Sequence, residues 1–196
     1  MDIILASGSP RRRELLEQIG VKKYRIVSPD VDEHVEGHPA PEELVELLSR
    51  RKAEAVGAKA GADALVIAAD TVVALDGAIL GKPHSREEAA AMLAALSGRE
   101  HAVYTGLTVL RGNRLVTGHE RTAVTFRTLT GAEIDRYVAT GEPMDKAGAY
   151  GIQGVGALLI TGIEGDYFNV MGLPVCRLGR VLAEFGVNAL ALAAGE

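Results

Sequence analysis

Apolar residues along the chain follow two periodicities, one typical of buried strands and the other of amphipathic helices. Residues 3–6 and 64–69 are nearly continuous apolar runs, as expected for strands covered on both faces. Residues 41–59 instead place their apolar side chains on one helical face. Read in this way, the chain predicts strands at 3–6, 24–27, 64–69, 101–110, 115–127, 157–163 and 167–170, and helices at 10–19, 41–59, 85–96, 131–140 and 173–185. Strands mixed with helices and hairpins favour an α/β fold on a mixed sheet.

Turn residues mark several of the predicted boundaries. Ser9 suits the cap of the first helix, Pro10 suits its first position, and Gly20 suits its end. The pair Asp76-Gly77 stands between two apolar runs and predicts a two-residue hairpin loop.

The composition describes an ordinary globular chain with an acidic balance. Of 196 residues, 47% are hydrophobic, so we expect one domain over 1–196, with an alanine-rich tail that frays from about 187. The net charge of -5 argues against a general nucleic-acid-binding protein. Cys176 is the one cysteine, is expected in the core, and excludes an intrachain disulfide. Without a basic leader or an apolar run long enough for a membrane span, we expect a cytoplasmic protein.

The segment 7–10 leads from a predicted strand into a helix whose first turn carries three arginines. Backbone N–H groups and the helix dipole make such a turn suitable for an anion. At about 100° per residue, Arg12 points in the same direction as the apolar side chains of this helix. We therefore interpret Arg12, together with Ser7 in the turn, as candidate ligands of an anionic substrate. The alternative is a solvated basic turn in which Arg12 snorkels or pairs with a carboxylate.

Lys52 stands out because it lies on the apolar side of the helix predicted at 41–59. Its direction falls within about 40° of the centre of the apolar face, whereas Arg50 lies on the far side. A lysine in this position either extends its ammonium group to solvent or meets a buried anion. Both readings stay open from the sequence.

Asp70 and Thr71 follow the apolar run at 64–69. A carboxylate at the end of a buried strand needs a partner, a metal ion or water. A two-residue hairpin loop sets Lys82 opposite Thr71, although strict alternation would place Asp70 and Lys82 on opposite faces. The strand must therefore end or bulge there, and Pro83 makes an ending plausible. The alternative is a structural ion pair or a turn-capping aspartate.

Two loops add further candidates. Asp30, Asp32 and Glu33 carry hard carboxylate oxygens that suit Mg²⁺ or Mn²⁺, although an acidic solvated loop is the plainer reading. The glycine-rich loop at 148–156 contains Gln153, whose amide donor and acceptor match the edge of a pyrimidine base. A flexible hairpin is the alternative for this loop.

The order of these motifs resembles the Maf (septum formation inhibitor-like) family of nucleotide pyrophosphatases. The matching stretches are LASGSPRR at 5–12, DVDE at 30–33, RRKAEAV around Lys52, AADTVV at 68–73, LGKP at 80–83, EPMDKAGAYGIQG at 142–154 and GDYFNVMGLP at 165–174. The resemblance implies a fold like that of inosine-triphosphate pyrophosphatases, with an elongated mixed β-sheet flanked by helices, two lobes and a central cleft. It also implies a cytoplasmic homodimer that hydrolyses triphosphates between the α- and β-phosphates with a divalent metal.

The same resemblance implies roles for individual residues. Asp70 matches the position of the family's proton acceptor. Arg12, Thr71 and Gln153 match the positions that set substrate choice. In the branch that is most similar, these residues accompany a preference for dTTP and UTP, and modified pyrimidine nucleotides are also accepted.

A mechanistic hypothesis joins the two lines of reasoning. Arg12, Lys52 and Lys82 bind the phosphates, Glu33 and Asp70 hold Mg²⁺ or Mn²⁺, and water attacks the α-phosphorus. The expected partners are a nucleoside triphosphate and a second copy of the chain, with neither nucleic acid nor membrane. Two alternatives stay open, a nucleotide-binding regulator of cell division without turnover and a nucleotidyltransferase.

Overall fold

The structure is a computed structural model that describes residues 1–195. The strands are β1 (Ile3–Leu5), β2 (Arg25–Ile26), β3 (Leu65–Leu75), β4 (Ala78–Leu80), β5 (Glu100–Arg111), β6 (Arg114–Phe126) and β7 (Ile160–Glu164). The α-helices are α1 (Pro10–Gln18), α2 (Pro41–Gly57), α3 (Arg86–Leu96), α4 (Gly131–Ala139), α5 (Tyr167–Met171), α6 (Val175–Glu184) and α7 (Ala189–Ala194). Short 3-10 helices occupy Glu142–Asp145, Ala147–Ala149 and Val155–Leu159. None of the helices in this range combines the length and the apolar character needed to cross a membrane.

The strands form one mixed sheet. Its order is β2-β1-β3-β5-β6-β7, and β4 pairs with β3 outside this path. β1 runs parallel to β2 and to β3, whereas the pairs β3–β4 and β6–β7 are antiparallel. The predicted α/β class, with a mixed sheet and flanking helices, is confirmed.

The hairpin between β3 and β4 has the predicted two-residue loop. Asp76 has a φ of 51° and Gly77 a φ of 81°, the positive values that a type I′ turn requires. Leu75 pairs with Ala78, as the register predicted. β4 then ends before Lys82, so this part of the chain leaves the ladder.

The strand predicted at 64–69 is longer than expected. It continues to Leu75 as β3, and Asp70 therefore lies within the strand rather than at its end. The extension has a physical cause, because Leu65 to Ile67 pair with β1 and Val73 to Leu75 pair with β4. Because both ends of β3 are paired, the polar residues between them, Asp70 and Thr71, also adopt the strand conformation.

Local capping overrides the predicted structure in two other segments. The strand predicted at 167–170 is helix α5, and the Asp166 carboxylate accepts a hydrogen bond from the backbone N–H of Phe168 at its start. The tail that was expected to fray is helical as α7, because the Asn188 side chain accepts from the backbone N–H groups of Leu190 and Ala191.

Two further predictions need correction. The first residues of the strand predicted at 157–163 belong to a 3-10 helix, and β7 begins at Ile160. Cys176 was expected in the core but is exposed. It lies in the first turn of α6, whose apolar stripe is formed instead by Leu178, Val181 and Leu182.

The chain forms two compact units. The first unit comprises Met1–Asp70, Thr105–Glu120 and the chain from Gly172 onward, and the second comprises Thr71–Tyr104 and Arg121–Met171. The first unit packs α2 on β1 and β3 through an apolar cluster that contains Ile4, Ala6, Ala53, Val56, Ala64, Val66 and Ala68. The second unit has its own core around α3, α4 and Phe126.

Helix α2 approaches β5 closely within the first unit. A Cβ atom at Gly106 would lie 2.1 Å from the backbone oxygen of Val45, so this approach requires glycine. Nearby, the hydroxyl groups of Ser49 and Thr108 form a buried hydrogen bond of 2.9 Å. These contacts fix the part of α2 that precedes Lys52.

The second unit buries a histidine. His101 is 3% exposed, its Nε2 lies 2.8 Å from the Tyr150 hydroxyl, and its ring packs edge-on against Phe126. The described part of the chain offers its Nδ1 no hydrogen-bond partner. Burial therefore lowers the pKa of His101 to about 4.

This histidine should make the protein sensitive to acid. The unfolded chain binds a proton near pH 6.5, whereas the folded chain resists protonation until about pH 4. Neutral His101 therefore costs the folded protein no stability above pH 6.5. As the pH falls from 6.5 towards 4, the free energy of unfolding decreases, by about 2–3 kcal/mol at pH 4.5. Urea unfolding at pH 7 and 4.5 should show that the free energy of unfolding decreases less on acidification in His101→Gln than in the unaltered protein. The exposed residue His84 supplies the control, because His84→Gln should keep the wild-type loss; an equal loss in His101→Gln would contradict the assignment.

Candidate active site

Three charged side chains of the first unit meet at the ammonium group of Lys52. Its Nζ lies 2.5 Å from Asp70 Oδ1 and 2.7 Å from Glu33 Oε1. The side chains of Lys52 and Asp70 are 9% and 11% exposed, whereas that of Glu33 is 61% exposed. A buried ion pair is thus linked to solvent through a second, accessible carboxylate, that of Glu33.

The sequence explains why Lys52 and Asp70 face each other. Alternation along β3 places Asp70 on the same face as Val66 and Ala68, which pack against α2. On α2, Lys52 lies one turn before Val56 and shares its buried face. The predicted inward orientation of Lys52 is therefore confirmed, and its partner is a buried anion rather than solvent.

Arg12 is held by one local contact and one sequence-distant contact within the first unit. Its Nε donates to the backbone oxygen of Gly172 at 2.7 Å, and its Nη1 donates to the Ser7 hydroxyl at 3.1 Å. Burial lowers the pKa of Arg12, and the negative charges of Asp70 and Glu33 oppose this shift. The predicted inward orientation is confirmed, and Arg12 lies within electrostatic reach of both carboxylates.

The turn before α1 is organised by Ser7 rather than by Ser9. In the described structure the Ser9 side chain makes no capping hydrogen bond, although Pro10 occupies the first turn as predicted. The buried Ser7 hydroxyl instead accepts from the backbone N–H of Ser9 at 3.2 Å. Because the same hydroxyl contacts Arg12, Ser7 connects the turn to the arginine.

Arg51 is a site residue that the sequence reasoning missed. Its Nη1 donates to the backbone oxygen of Asp32 at 3.1 Å and to that of His34 at 3.0 Å. These two carbonyl groups flank Glu33, so Arg51 holds the loop that brings Glu33 to Lys52. Its position directly before Lys52 in α2 was the available signal.

The acidic loop contributes one of its three predicted candidates to this cluster. Glu33 reaches Lys52, whereas the Asp32 carboxylate accepts the backbone N–H of His34 at 2.8 Å within the loop. Asp30 is exposed. The sequence alone could not separate these carboxylates because all three lie in one irregular segment.

The carboxylates of Glu33 and Asp70 are chemically suited to a hard divalent ion. Both direct an oxygen at one cationic group, the Lys52 ammonium. Residues 1–195 contain no cluster of three or more His, Cys, Asp or Glu side chains arranged to hold a metal ion. Mg²⁺ is commonly bound by one or two carboxylates, with waters and substrate phosphates as its other ligands. The donor set therefore fits an ion that binds together with a phosphate group.

Three predicted residues belong to the second unit. Lys82 and Gln153 are exposed, and Thr71 is half-buried on β3. The backbone N–H of Gly148 donates to the oxygen of Gly81 at 3.0 Å. This bond ties the segment that carries Lys82 to the glycine-rich segment that carries Gln153.

The chain is an α/β protein with a mixed sheet, in which a serine turn holds Arg12 and a buried ion pair joins Lys52 to Asp70. The family described as Maf-like protein matches residues 2–185, and the chain belongs to this family. The resemblance inferred from the motifs is confirmed.

Two relatives that are more than half identical to this chain are named dTTP/UTP pyrophosphatase. The chain is 56% identical over 188 residues to the dTTP/UTP pyrophosphatase of Moorella thermoacetica, an alignment that covers 95% of this chain and 96% of that protein. It is 53% identical over 191 residues to the dTTP/UTP pyrophosphatase of Pelotomaculum thermopropionicum, with 96% and 99% covered. A HAM1 protein from Coxiella burnetii has a similar fold, with a TM-score of 0.52 and 18% identity over 94% of this chain and 99% of that one.

Proposed function

We propose that this chain is a nucleoside triphosphate pyrophosphatase that prefers dTTP and UTP and releases the monophosphate and pyrophosphate. Two relatives with this name, at 56% and 53% identity over nearly their whole length, support the substrate class. The observation that carries the chemistry is the buried Lys52–Asp70 pair with Glu33 at its exposed side.

The cations of the first unit suit the phosphate chain. A triphosphate carries about four negative charges, so its binding site needs fixed positive groups that do not reorganise during the reaction. Arg12 is fixed by Gly172 and Ser7, and Lys52 is fixed by two carboxylates. In the proposal both side chains stabilise the negative charge that moves to the leaving pyrophosphate.

The carboxylates serve the attacking water. Lys52 holds Asp70 Oδ1 and so sets the orientation of this carboxylate, which takes the proton as water attacks the α-phosphorus. Glu33 and Asp70 would hold Mg²⁺ or Mn²⁺, which when bound polarises the phosphoryl group. The loop clamp from Arg51 keeps Glu33 in place for this role.

The remaining assignments rest on the family resemblance and on positions in the sequence. That resemblance assigns Arg12, Thr71 and Gln153 to substrate choice. Lys82 and Ser7 are assigned to substrate binding from their positions in the sequence, Lys82 after the β3–β4 hairpin and Ser7 in the turn before α1. The proposal also includes a single functional domain over the whole chain, a cytoplasmic location and a homodimer.

Pyrophosphate release tests the proposal directly. With Mg²⁺ or Mn²⁺, dTTP and UTP should give one pyrophosphate for each monophosphate, faster than ATP, GTP or CTP, and a chelator should abolish the release. Modified pyrimidine triphosphates belong in the same panel. Release of orthophosphate would place the cut elsewhere, and nucleotide binding without any release would support the regulatory alternative.

A further inference from the structure

The segment that carries Gln153 is fastened by one carboxylate of the second unit. Glu142 Oε2 accepts from the backbone N–H of Val155 at 2.9 Å, and Glu142 Oε1 accepts from that of Gly156 at 3.0 Å. These are the first N–H groups of the 3-10 helix Val155–Leu159, and such groups lack partners within their own helix. Glu142 therefore caps this helix from a distance in sequence.

The hydroxyl group of Tyr137 fastens the other side of the segment. It donates to Glu142 Oε1 at 2.8 Å and accepts from the backbone N–H of Gly151 at 3.1 Å. Tyr137 is buried in α4 and packs in the core of the second unit. The backbone is thus held before Gln153 by Tyr137 and after Gln153 by Glu142.

Two of the glycines in this segment are required by these contacts. A Cβ atom at Gly154 would lie 2.2 Å from Glu142 Oε2, and one at Gly156 would lie 2.6 Å from the Tyr137 hydroxyl oxygen. A side chain at Gly154 would displace the Glu142 carboxylate, and one at Gly156 would meet both the Tyr137 hydroxyl and the backbone oxygen of Gly151. The glycine density around Gln153 therefore reflects close packing onto a fixed acceptor.

The charge of Glu142 strengthens the arrangement. Burial raises the pKa of Glu142, but the N–H groups of Gly156 and Val155, the Tyr137 hydroxyl and the charge of Lys146 together lower it. The carboxylate is ionised at neutral pH, and hydrogen bonds to an ionised acceptor are stronger than neutral ones. The Lys146 ammonium also donates to the backbone oxygen of Glu142 at 2.7 Å.

We propose that Glu142 and Tyr137 are positioning residues for base selection, which hold the backbone on both sides of Gln153 so that its exposed amide meets the base in a fixed place. This inference rests on the proposed function, in which Gln153 contacts the pyrimidine. A loosely held loop would have to be ordered when the nucleotide binds, and the cost of this ordering weakens the preference for the matching base.

Steady-state kinetics with UTP and CTP test this role in Tyr137→Phe and Glu142→Gln. We expect the ratio of kcat/KM for UTP over CTP to fall about tenfold in each variant, roughly the value of one hydrogen bond, through KM rather than kcat. Gln153→Ala should lose the same preference, and adding Tyr137→Phe to it should cause no further loss.

A matched control separates positioning from general stability. Glu133 caps α4 through Thr130, and its hydrogen bond with Arg127 is the main cause that lowers its pKa to about 2. Like Glu142→Gln, Glu133→Gln removes an ionised carboxylate that accepts hydrogen bonds at the start of a helix. It should lower the stability of the fold without changing the preference for UTP over CTP. Tyr137→Phe keeps the ring in the core, so it tests the proposal even if a change at Glu142 unfolds the protein.

The outcomes distinguish the two proposals. If Gln153→Ala loses the preference but Tyr137→Phe and Glu142→Gln keep it, the positioning role is wrong and the proposed function stands. If Gln153→Ala keeps the preference, base reading by this segment is wrong. Absence of pyrophosphate release from the unaltered protein would instead overturn the proposed function.

Discussion

Asp70→Asn is expected to lower kcat by about 10²–10⁴-fold while the protein stays folded. Asparagine has the same shape and still offers Lys52 an oxygen acceptor, but it cannot take a proton from water. Because Glu33 also contacts Lys52, the ammonium group keeps one charged partner in the variant. The measurement is pyrophosphate release with dTTP under saturating substrate, together with a urea unfolding curve that reports the fold.

Asp63 provides the control for this experiment. It belongs to the same unit, but its side chain is fully exposed and its ion pair with Arg111 is long, at 3.8 Å. Asp63→Asn should therefore have the same kcat and the same free energy of unfolding as the unaltered protein. A kcat in Asp70→Asn close to that of Asp63→Asn would remove Asp70 from the role of proton acceptor.

Lys52→Met is expected to cost about 3–5 kcal/mol of the free energy of unfolding, because it leaves the buried Asp70 carboxylate without its cation. Methionine fills a similar volume, so the loss reports the uncompensated charge rather than a cavity. The same variant should also weaken pyrophosphate release, since a fixed positive charge for the phosphates is removed. Urea unfolding at neutral pH measures the first effect, and kcat/KM for dTTP measures the second.

A double variant shows whether the loss comes from the buried charge. Lys52→Met combined with Asp70→Leu removes both charges, and apolar replacement of a whole buried pair is often neutral or stabilising. We expect it to recover most of the stability and none of the activity. Arg50→Met, at an exposed position of α2, should change the stability by less than about 0.5 kcal/mol. A similar small effect in Lys52→Met would show that the pair is well solvated.

Together these variants decide between two readings of the same geometry. A purely structural ion pair would make stability fall in Lys52→Met while kcat stays unchanged in Asp70→Asn. A pair that serves the reaction should show both effects. The structural ion pair that the sequence left open as an alternative at Asp70 is thus tested by comparing stability with turnover, rather than by either measurement alone.

The sequence determined the features that depend on local periodicity and on turn chemistry. The directions of Arg12 and Lys52 follow from the angular position of each residue on an amphipathic helix, and both were predicted correctly. The register of the β3–β4 hairpin follows from Asp76-Gly77, because a two-residue loop fixes which residues pair. These relations act over a few residues and need no knowledge of the rest of the chain.

The tertiary structure alone decided which of the inward-facing groups meet. Lys52 contacts Asp70 across 18 residues of sequence, and Arg12 contacts Gly172 across 160. It also decided that Asp70 lies inside β3, because the residues before Asp70 pair with β1, a segment far away in sequence, while those after it pair with the adjacent β4. Such contacts join segments that are far apart in the chain, and the periodicity of a single segment carries no information about them.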